Sequence, residues 1–292
     1  MSLTLLSIAP ERRGELALAD ERVELSWQEL DPLLNRAANA LSATVDGQRR
    51  AAVYAPNSAE TVVAYLAGIE GGVSTVPVSY HLTPGEVAYI LKDSGASVLM
   101  VGPETLEAGL AAAAEAGLAR VIGWRCAPRA GLVRWEDWLA AASDAEPPAD
   151  ARPLPHLHYT SGTTGTPKAT ETPPQYWPEA ATVAELAALL RPKATPSPGL
   201  AAGPLYHTGP LGHPHRDIAN VVFGVFQLWQ QPHGEGDEAH RSAIEAAVFV
   251  AGFGPEAGED HRFVRMVVAA RVVVEHFLDR GGPPAHRAAG RR

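Results

Sequence analysis

The sequence has very little cysteine and very little lysine: one cysteine and three lysines among 292 residues. The lone Cys126 excludes an intrachain disulfide and a thiolate-rich metal site, which is typical of a reducing, cytosolic setting. No apolar run approaches the roughly 18–20 residues that cross a bilayer, and residues 1–14 lack the pattern of a cleaved signal peptide. We therefore expect a cytoplasmic protein without a membrane span.

The charge balance also excludes one class of partner. The formal net charge is -9 and the sequence pI is about 5.7, which argues against a basic nucleic-acid-binding protein. A hydrophobic content of 46% is enough for a real core, so disorder of the whole chain is excluded. An acidic protein can still hold a local phosphate site, and the net charge therefore says nothing about nucleotides.

The most informative segment runs from Tyr159 to Lys168 and reads Tyr-Thr-Ser-Gly-Thr-Thr-Gly-Thr-Pro-Lys. Its hydroxyls can donate to phosphate oxygens, its glycines allow close backbone approach, and its lysine supplies a positive charge. The segment is not the common nucleoside-triphosphatase loop, because Thr166 and Pro167 separate the glycine from the lysine. The alternative is an exposed, flexible Ser/Thr/Gly linker. The candidate phosphate-binding residues are Thr160, Ser161, Gly162, Thr163, Thr164, Gly165 and Lys168.

Strand and helix patterns alternate before this segment. Capping boxes begin helices at Ser26 and at Thr83, and Ser58 or Asn57 can cap a third helix that ends near Glu70. We predict further helices near residues 104–116, 135–139 and 180–190, and strands near residues 51–54, 74–78, 98–101, 120–124, 156–159 and 200–206. Such alternation indicates an α/β fold in which helices flank parallel strands. Residues 144–155, rich in proline and acids, are predicted to be a surface linker before the phosphate segment.

The segment at 159–168 resembles the phosphate-binding signature of the adenylate-forming enzymes, the superfamily of acyl-CoA synthetases, peptide-synthetase adenylation domains and firefly-type luciferases. Other landmarks are similar in the same order, at residues 25–30, 55–58, 76–78, 82–86, 93–96 and 203–211. The resemblance covers about residues 20–212. It implies the fold of the N-terminal domain of these enzymes, here incomplete, with a subdomain at 1–150, the phosphate segment and the start of a second subdomain at 151–212, and an unrecognised, partly disordered tail at 213–292.

The resemblance also implies a reaction. In this family a carboxylic acid, for example a fatty or aryl acid, reacts with ATP to give an acyl-adenylate, and coenzyme A then displaces AMP. Mg2+ accompanies ATP. The candidate phosphate-binding residues would hold the β- and γ-phosphates, with Lys168 as the catalytic cation, and His207 would line the acyl pocket. No nucleic acid and no protein partner is implied.

Several family features are missing after residue 212. We find no Tyr-Gly-x-Thr-Glu segment with its magnesium-binding glutamate, no ribose-binding aspartate, no hinge and no lysine of a mobile C-terminal domain. A truncation or frameshift would give this pattern, and a non-catalytic ATP-binding remnant is the alternative to a ligase.

Two other parts of the sequence have weaker site patterns. Residues 248–258 could begin a nicotinamide-dinucleotide turn with Glu275 as the ribose-binding acid, but acids lie where pyrophosphate would sit. His156 and His158 share a strand face, as do His213 and His215, yet no carboxylate or thiol completes a zinc site, and no metal ligands are predicted. For His207 the alternative is a hydrogen-bonded, half-buried side chain.

Overall fold

A computed structural model describes residues 10–20, 22–160, 167–171, 177, 179–190, 199–201, 204–207 and 223–225. All of them lie within one compact unit, Met1–Gln227. In chain order the strands are β1 (Leu16–Asp20), β2 (Glu24–Ser26), β3 (Arg50–Tyr54), β4 (Ser74–Val78), β5 (Val98–Val101), β6 (Val121–Gly123), β7 (Val133–Arg134), β8 (Leu157–Thr160), β9 (Lys168–Glu171), β10 (Gly199–Ala201) and β11 (Phe223–Val225). The helices are α1 (Trp27–Thr44), α2 (Ala59–Glu70), α3 (Pro84–Ser94), α4 (Leu106–Ala116), α5 (Trp135–Ala140) and α6 (Val183–Leu190).

A five-stranded, fully parallel sheet forms the centre of the fold. Its strand order is β4-β3-β5-β6-β7, and β3 pairs with β4 from Arg50 opposite Ser74 to Tyr54 opposite Val78. The predicted strands at 74–78 and 98–101 are confirmed with the same bounds. Helices α2, α3 and α4 lie in turn between β3, β4, β5 and β6, which confirms the predicted α/β fold.

Helices cover both faces of this sheet. Successive side chains along each strand point to opposite faces, so each strand contributes to the core on either side. Val53 and Met100 point to a core shared with α1 and α2, whereas Tyr54 and Val101 point to a core shared with α3 and α4. Every one of these side chains is at most 2% exposed. Strands buried on both faces are continuous apolar runs, which is the sequence pattern seen at 98–101.

Helix starts follow the local capping signals. Ser26 and Thr83 each form the predicted capping box with the glutamate three residues later, and Ser58 caps α2 by accepting a hydrogen bond from the Thr61 N–H at 3.1 Å. Helix α3 ends at Gly95, whose φ of +64° is a left-handed conformation that glycine adopts readily. These boundaries were predictable because they depend on neighbouring residues only.

A smaller sheet contains strands that the sequence did not reveal. Its order is β10-β11-β1-β2, with β11 parallel to both β1 and β10. Strand β11 comes from the part of the chain beyond residue 212. The division at residues 150 and 212 stays a prediction. The predicted disorder at the C-terminal end and the glycine-rich segment at 248–258 lie outside the described residues.

No helix within the described parts of the chain is both long enough and apolar enough to cross a membrane.

Candidate functional site

The two ends of the predicted phosphate segment lie on paired strands. Strands β8 and β9 pair antiparallel as a β-hairpin, and Thr160 lies directly opposite Lys168 as the last pair of this hairpin. Both side chains are exposed, so hydroxyl and ammonium are accessible to a ligand. Ser161, Gly162, Thr163, Thr164 and Gly165 lie outside the described residues. The structure therefore brings together Thr160 and Lys168, the two ends of the predicted phosphate loop. The Cβ atoms of residues paired in this way lie about 5 Å apart.

The strand that leads into the phosphate segment was predicted at residues 156–159 and is observed as β8 at Leu157–Thr160. Among the described residues β8 pairs with β9 alone, in a two-stranded antiparallel sheet. The returning strand at 168–171 was not predicted, because its sequence, Lys-Ala-Thr-Glu, lacks the aliphatic and aromatic residues typical of strands.

A hydrogen bond from Tyr159 anchors the hairpin to helix α3. The Tyr159 hydroxyl donates to Oδ2 of Asp93 at 2.6 Å. Burial and the neighbouring Asp93 carboxylate both raise the pKa of Tyr159, so the phenol keeps its proton at neutral pH. The ring also packs against the core beneath α3 and α4. The residue next to Thr160 is thus held in place by both packing and hydrogen bonding.

His156 fixes the entry to the hairpin by a hydrogen bond and by ring packing. Its Nδ1 forms a short hydrogen bond with Oγ1 of Thr75 on β4. Its ring packs edge-on against Tyr65 and Trp177, with centroid separations of 5.7 and 6.0 Å. Within the described ranges no three His, Cys, Asp or Glu side chains cluster as metal ligands would.

His158, two residues before Thr160, is 6% exposed and points to the opposite face of β8 from Tyr159. Its ring hydrogen-bonds to the main chain of Tyr206. Burial lowers the pKa of His158 to about 4, so the ring is neutral at neutral pH. This contact joins the hairpin to the segment that carries His207.

His207 lies in a turn, not on a strand. We predicted a strand over residues 200–206 that would present His207. The structure has β10 at Gly199–Ala201 and a turn at residues 204–207, and residues 202 and 203 lie outside the described residues. The His207 N–H donates to the carbonyl oxygen of Pro204 at 3.1 Å, which closes the turn. Pro204 lacks the N–H that a strand ladder uses, which disfavours a strand at this position. The side chain is exposed, with its ring 4.5 Å from that of Tyr206.

The His207 turn is fastened to the central sheet by Asn57. Oδ1 of Asn57 accepts a hydrogen bond from the Leu205 N–H at 2.9 Å, and both residues are buried. Asn57 follows β3 at the carboxyl edge of the parallel sheet, where α/β proteins bind their ligands. Asn57, Asp93 and Tyr159 lay within the sequence landmarks, but nothing in the sequence assigned them these contacts.

Comparison with known proteins finds a matching family and related sequences. Residues 7–211 match the family model described as "AMP-binding enzyme". The chain is 30% identical over 148 residues to 3-hydroxybenzoate–CoA ligase of Aromatoleum sp. (strain CIB), covering 50% of this chain and 28% of that protein. It is 31% identical over 150 residues to long-chain-fatty-acid–CoA ligase FadD13 of Mycobacterium tuberculosis, covering 50% of this chain and 29% of that protein.

The fold matches solved structures as well. The anthranilate CoA ligase AuaEII, solved with anthranoyl-AMP, superposes with a TM-score of 0.59 at 23% identity, covering 82% of this chain and 46% of that one. The similarity in structure supports the predicted fold. The chain spans less than a third of the length of the two curated relatives named above and under half of the length of this structure.

Proposed function

The chain belongs to the AMP-binding enzyme family, and on this premise we propose that it takes part in the ATP-dependent activation of a carboxylic acid, fatty or aryl, followed by transfer of the acyl group to coenzyme A. The observation that carries the proposal is the pairing of Thr160 with Lys168 across an anchored hairpin turn. This arrangement supports a grip on the phosphates of ATP.

The first step requires charge neutralisation on the leaving group. A carboxylate oxygen attacks the α-phosphorus, and the bond to the bridging oxygen breaks with its electron pair, so pyrophosphate leaves. In the proposal, hydroxyl and amide donors of residues 160–165 bind the β- and γ-phosphates, and the Lys168 ammonium offsets the developing negative charge. Mg2+, which neutralises phosphate charge when bound with ATP, has no ligand cluster within the described residues.

In the second step the acyl-adenylate is converted into a thioester. The sulfur of coenzyme A attacks the acyl carbonyl carbon, and AMP leaves with the electrons of the acyl–oxygen bond. The hydrogen bond between Asn57 and Leu205 holds the turn that carries His207 near the carboxyl edge of the central sheet. We assign the His207 ring to the wall of the acyl pocket.

Calorimetric titration with Mg·ATP tests the phosphate grip. We expect binding by the unaltered chain and a loss of at least about tenfold in affinity for Lys168→Ala, because a charge-assisted contact is removed. Lys92→Ala is the matched control, since Lys92 is also an exposed lysine but lies on α3. Absence of Mg·ATP binding by folded protein, or equal affinities for all three proteins, would contradict the proposal.

A non-catalytic ATP-binding role is the second candidate, since the pairing of Thr160 with Lys168 supports a phosphate grip without supporting the acid chemistry. Carboxylate-dependent exchange of labelled pyrophosphate into ATP, over a panel of fatty and aryl acids, separates the two. Exchange supports the ligase. Binding of Mg·ATP without exchange for any acid supports the non-catalytic role.

A further inference from the structure

The N-terminal end of helix α2 is held by a carboxylate from a distant strand. Asp20 is the last residue of β1, and its Oδ2 accepts a hydrogen bond from the N–H of Ala59, the first residue of α2, at 2.9 Å. Its Oδ1 accepts hydrogen bonds from the N–H groups of Arg22 and Val23 at 2.8 and 2.9 Å. The Asp20 side chain is completely buried. Because the first N–H groups of a helix have no partner within the helix, this carboxylate fixes where α2 begins.

Arg125 connects this carboxylate to α2 a second time. Its Nη2 bonds to Oδ2 of Asp20, and its Nε donates to Oε1 of Glu60, in the first turn of α2, at 2.8 Å. Arg125 follows the carboxyl end of β6 and has a φ of +55°, a left-handed conformation that residues other than glycine seldom adopt. Such a conformation persists only where the surrounding contacts outweigh its cost, and the two ion pairs are such contacts. The planar guanidinium therefore holds β1 and α2 in one relative position.

The position of α2 determines the position of the turn that carries His207. Asn57 lies just before the first turn of α2, and its Oδ1 accepts the hydrogen bond from the Leu205 N–H at 2.9 Å. The carbonyl oxygen of Pro56 accepts a hydrogen bond from the Thr61 hydroxyl at 2.8 Å, so this segment is fixed to the helix. A chain of hydrogen bonds thus runs from the two ion pairs, through the start of α2, to the proposed acyl pocket.

We infer that Asp20 and Arg125 are positioning residues of the acid site, which set the place of His207 through Asn57. The inference rests on the proposed function. A misplacement of about 1 Å in a group that lines a site can cost up to about 100-fold in rate, even where the change lies far from the chemistry. Loss of the ion pairs should therefore be detected at the acid site although neither charged side chain belongs to it.

The proposed nucleotide site has a separate support. The hairpin that leads into the proposed phosphate loop is held by the hydrogen bond between Tyr159 and Asp93, and neither residue contacts the ion pairs of Asp20 and Arg125. Loss of those ion pairs should weaken acid binding and leave nucleotide binding nearly unchanged. A general loss of structure would weaken both.

Calorimetric titration of the full chain with benzoate and with octanoate tests the inference. The protein is first saturated with Mg2+ and the α,β-methylene analogue of ATP, which cannot release pyrophosphate, so that binding is measured without turnover. We expect Arg125→Gln to weaken acid binding about fivefold or more and to keep the affinity for the nucleotide analogue within about twofold. Arg36→Gln is the matched control, because Arg36 pairs with Asp144 and its ion pair involves neither β1 nor α2. We expect it to leave both affinities within about twofold.

A double-mutant cycle with His207→Ala distinguishes positioning from a general structural role. If Arg125 acts through His207, Arg125→Gln should cause no further loss of acid affinity once His207 is alanine, and the double variant should match His207→Ala within about twofold. Two independent losses would multiply instead. Arg125→Lys keeps the charge and should retain part of the acid affinity, with a loss of about threefold. Urea denaturation establishes that each variant is folded, and Arg125→Lys replaces Arg125→Gln in the cycle if the latter does not fold.

The outcomes separate this inference from the proposed function. If nucleotide and acid bind but Arg125→Gln leaves acid affinity unchanged, or lowers both affinities equally, the inference is wrong while the proposed function stands. Losses that multiply in the double variant, or an equal loss in Arg36→Gln, also overturn the inference. If the nucleotide analogue binds but neither acid does, the inference fails and the non-catalytic role is favoured. If folded protein binds neither ligand, the proposed function fails and the inference with it.

Discussion

The hydroxyl of Tyr159 and the carboxylate of Asp93 are joined by a hydrogen bond of 2.6 Å, although 66 residues separate them in the sequence. The bond links the strand before the proposed phosphate loop to the last turn of α3. Tyr159 directly precedes Thr160. The contact with Asp93 therefore fixes the base of the proposed loop, although neither Tyr159 nor Asp93 belongs to the loop.

We expect Tyr159→Phe to weaken Mg·ATP binding roughly fivefold, since a hydrogen bond of this kind contributes about 1 kcal/mol to holding the loop base. Asp93→Asn retains an acceptor oxygen and should lose less affinity than Asp93→Ala. Calorimetric titration with Mg·ATP measures all three. Unchanged affinity in Tyr159→Phe and Asp93→Ala would show that packing alone holds the hairpin.

Replacement of His207 by alanine should separate acid binding from nucleotide binding. The side chain is exposed beside Tyr206, and the turn itself is held by main-chain hydrogen bonds to Pro204 and Asn57, so the fold should persist. We expect the affinity for acids to fall about tenfold or more, with Mg·ATP affinity within about twofold of the original. Titrations with each ligand check this. An equal loss of affinity for both ligands would contradict the assignment of His207 to the acyl pocket.

Glycine-to-alanine changes in two helices should have opposite effects on stability. A Cβ at Gly68 in α2 would lie 2.5 Å from Cγ2 of Thr75, whose hydroxyl bonds to His156. A Cβ at Gly85 in α3 meets nothing within 4 Å. We expect Gly68→Ala to lower the free energy of unfolding by about 1–3 kcal/mol through overpacking, and Gly85→Ala to raise it by about 0.5–1 kcal/mol.

Urea denaturation followed by tryptophan fluorescence measures both free energies. A stabilising Gly68→Ala would mean that α2 moves away from β4 at little cost, and that the close approach of Gly68 to Thr75 does not constrain the core.

Stability should fall in acid because of Asp20. Burial acts to raise the pKa of this carboxylate, but hydrogen bonds from the Ala59 and Arg22 N–H groups, with a further bond from Arg125, outweigh burial and lower it. A lowered pKa means that the folded state binds this proton less readily than the unfolded chain. The stabilisation is present above about pH 4, the unfolded value, and is lost as the pH falls through the folded value.

We therefore expect Asp20→Asn to lower the free energy of unfolding at pH 7 by about 3 kcal/mol, because Arg125 and Asp20 form a buried ion pair in which the carboxylate is fully covered. The variant should also show a shallower loss of stability between pH 5 and pH 3 than the unaltered chain. Urea denaturation at several pH values measures this. Parallel pH profiles for the two proteins would assign the acid sensitivity to other carboxylates.

The parts of the fold that depend on neighbouring residues could be predicted from the sequence. The capping boxes at Ser26 and Thr83 and the apolar run of β5 depend on side chains within a few residues of one another, and the structure shows all three as predicted. Strands β1, β2 and β11 of the smaller sheet were missed. They are short and depend on pairing between distant segments, as β1 does with β11.

The sequence by itself determined the family, the α/β class, and the chemical character of the segment from Thr160 to Lys168, because residue types, spacing and periodicity are properties of the chain alone. Only the tertiary structure decided that Asp93 holds Tyr159, that His207 lies in a turn fastened by Asn57, and that His158 is buried beside Tyr206. The physical reason is that each contact joins residues that lie dozens to more than a hundred positions apart in the sequence. Burial lowers the pKa of His158, and a side chain becomes buried only after those distant segments pack together.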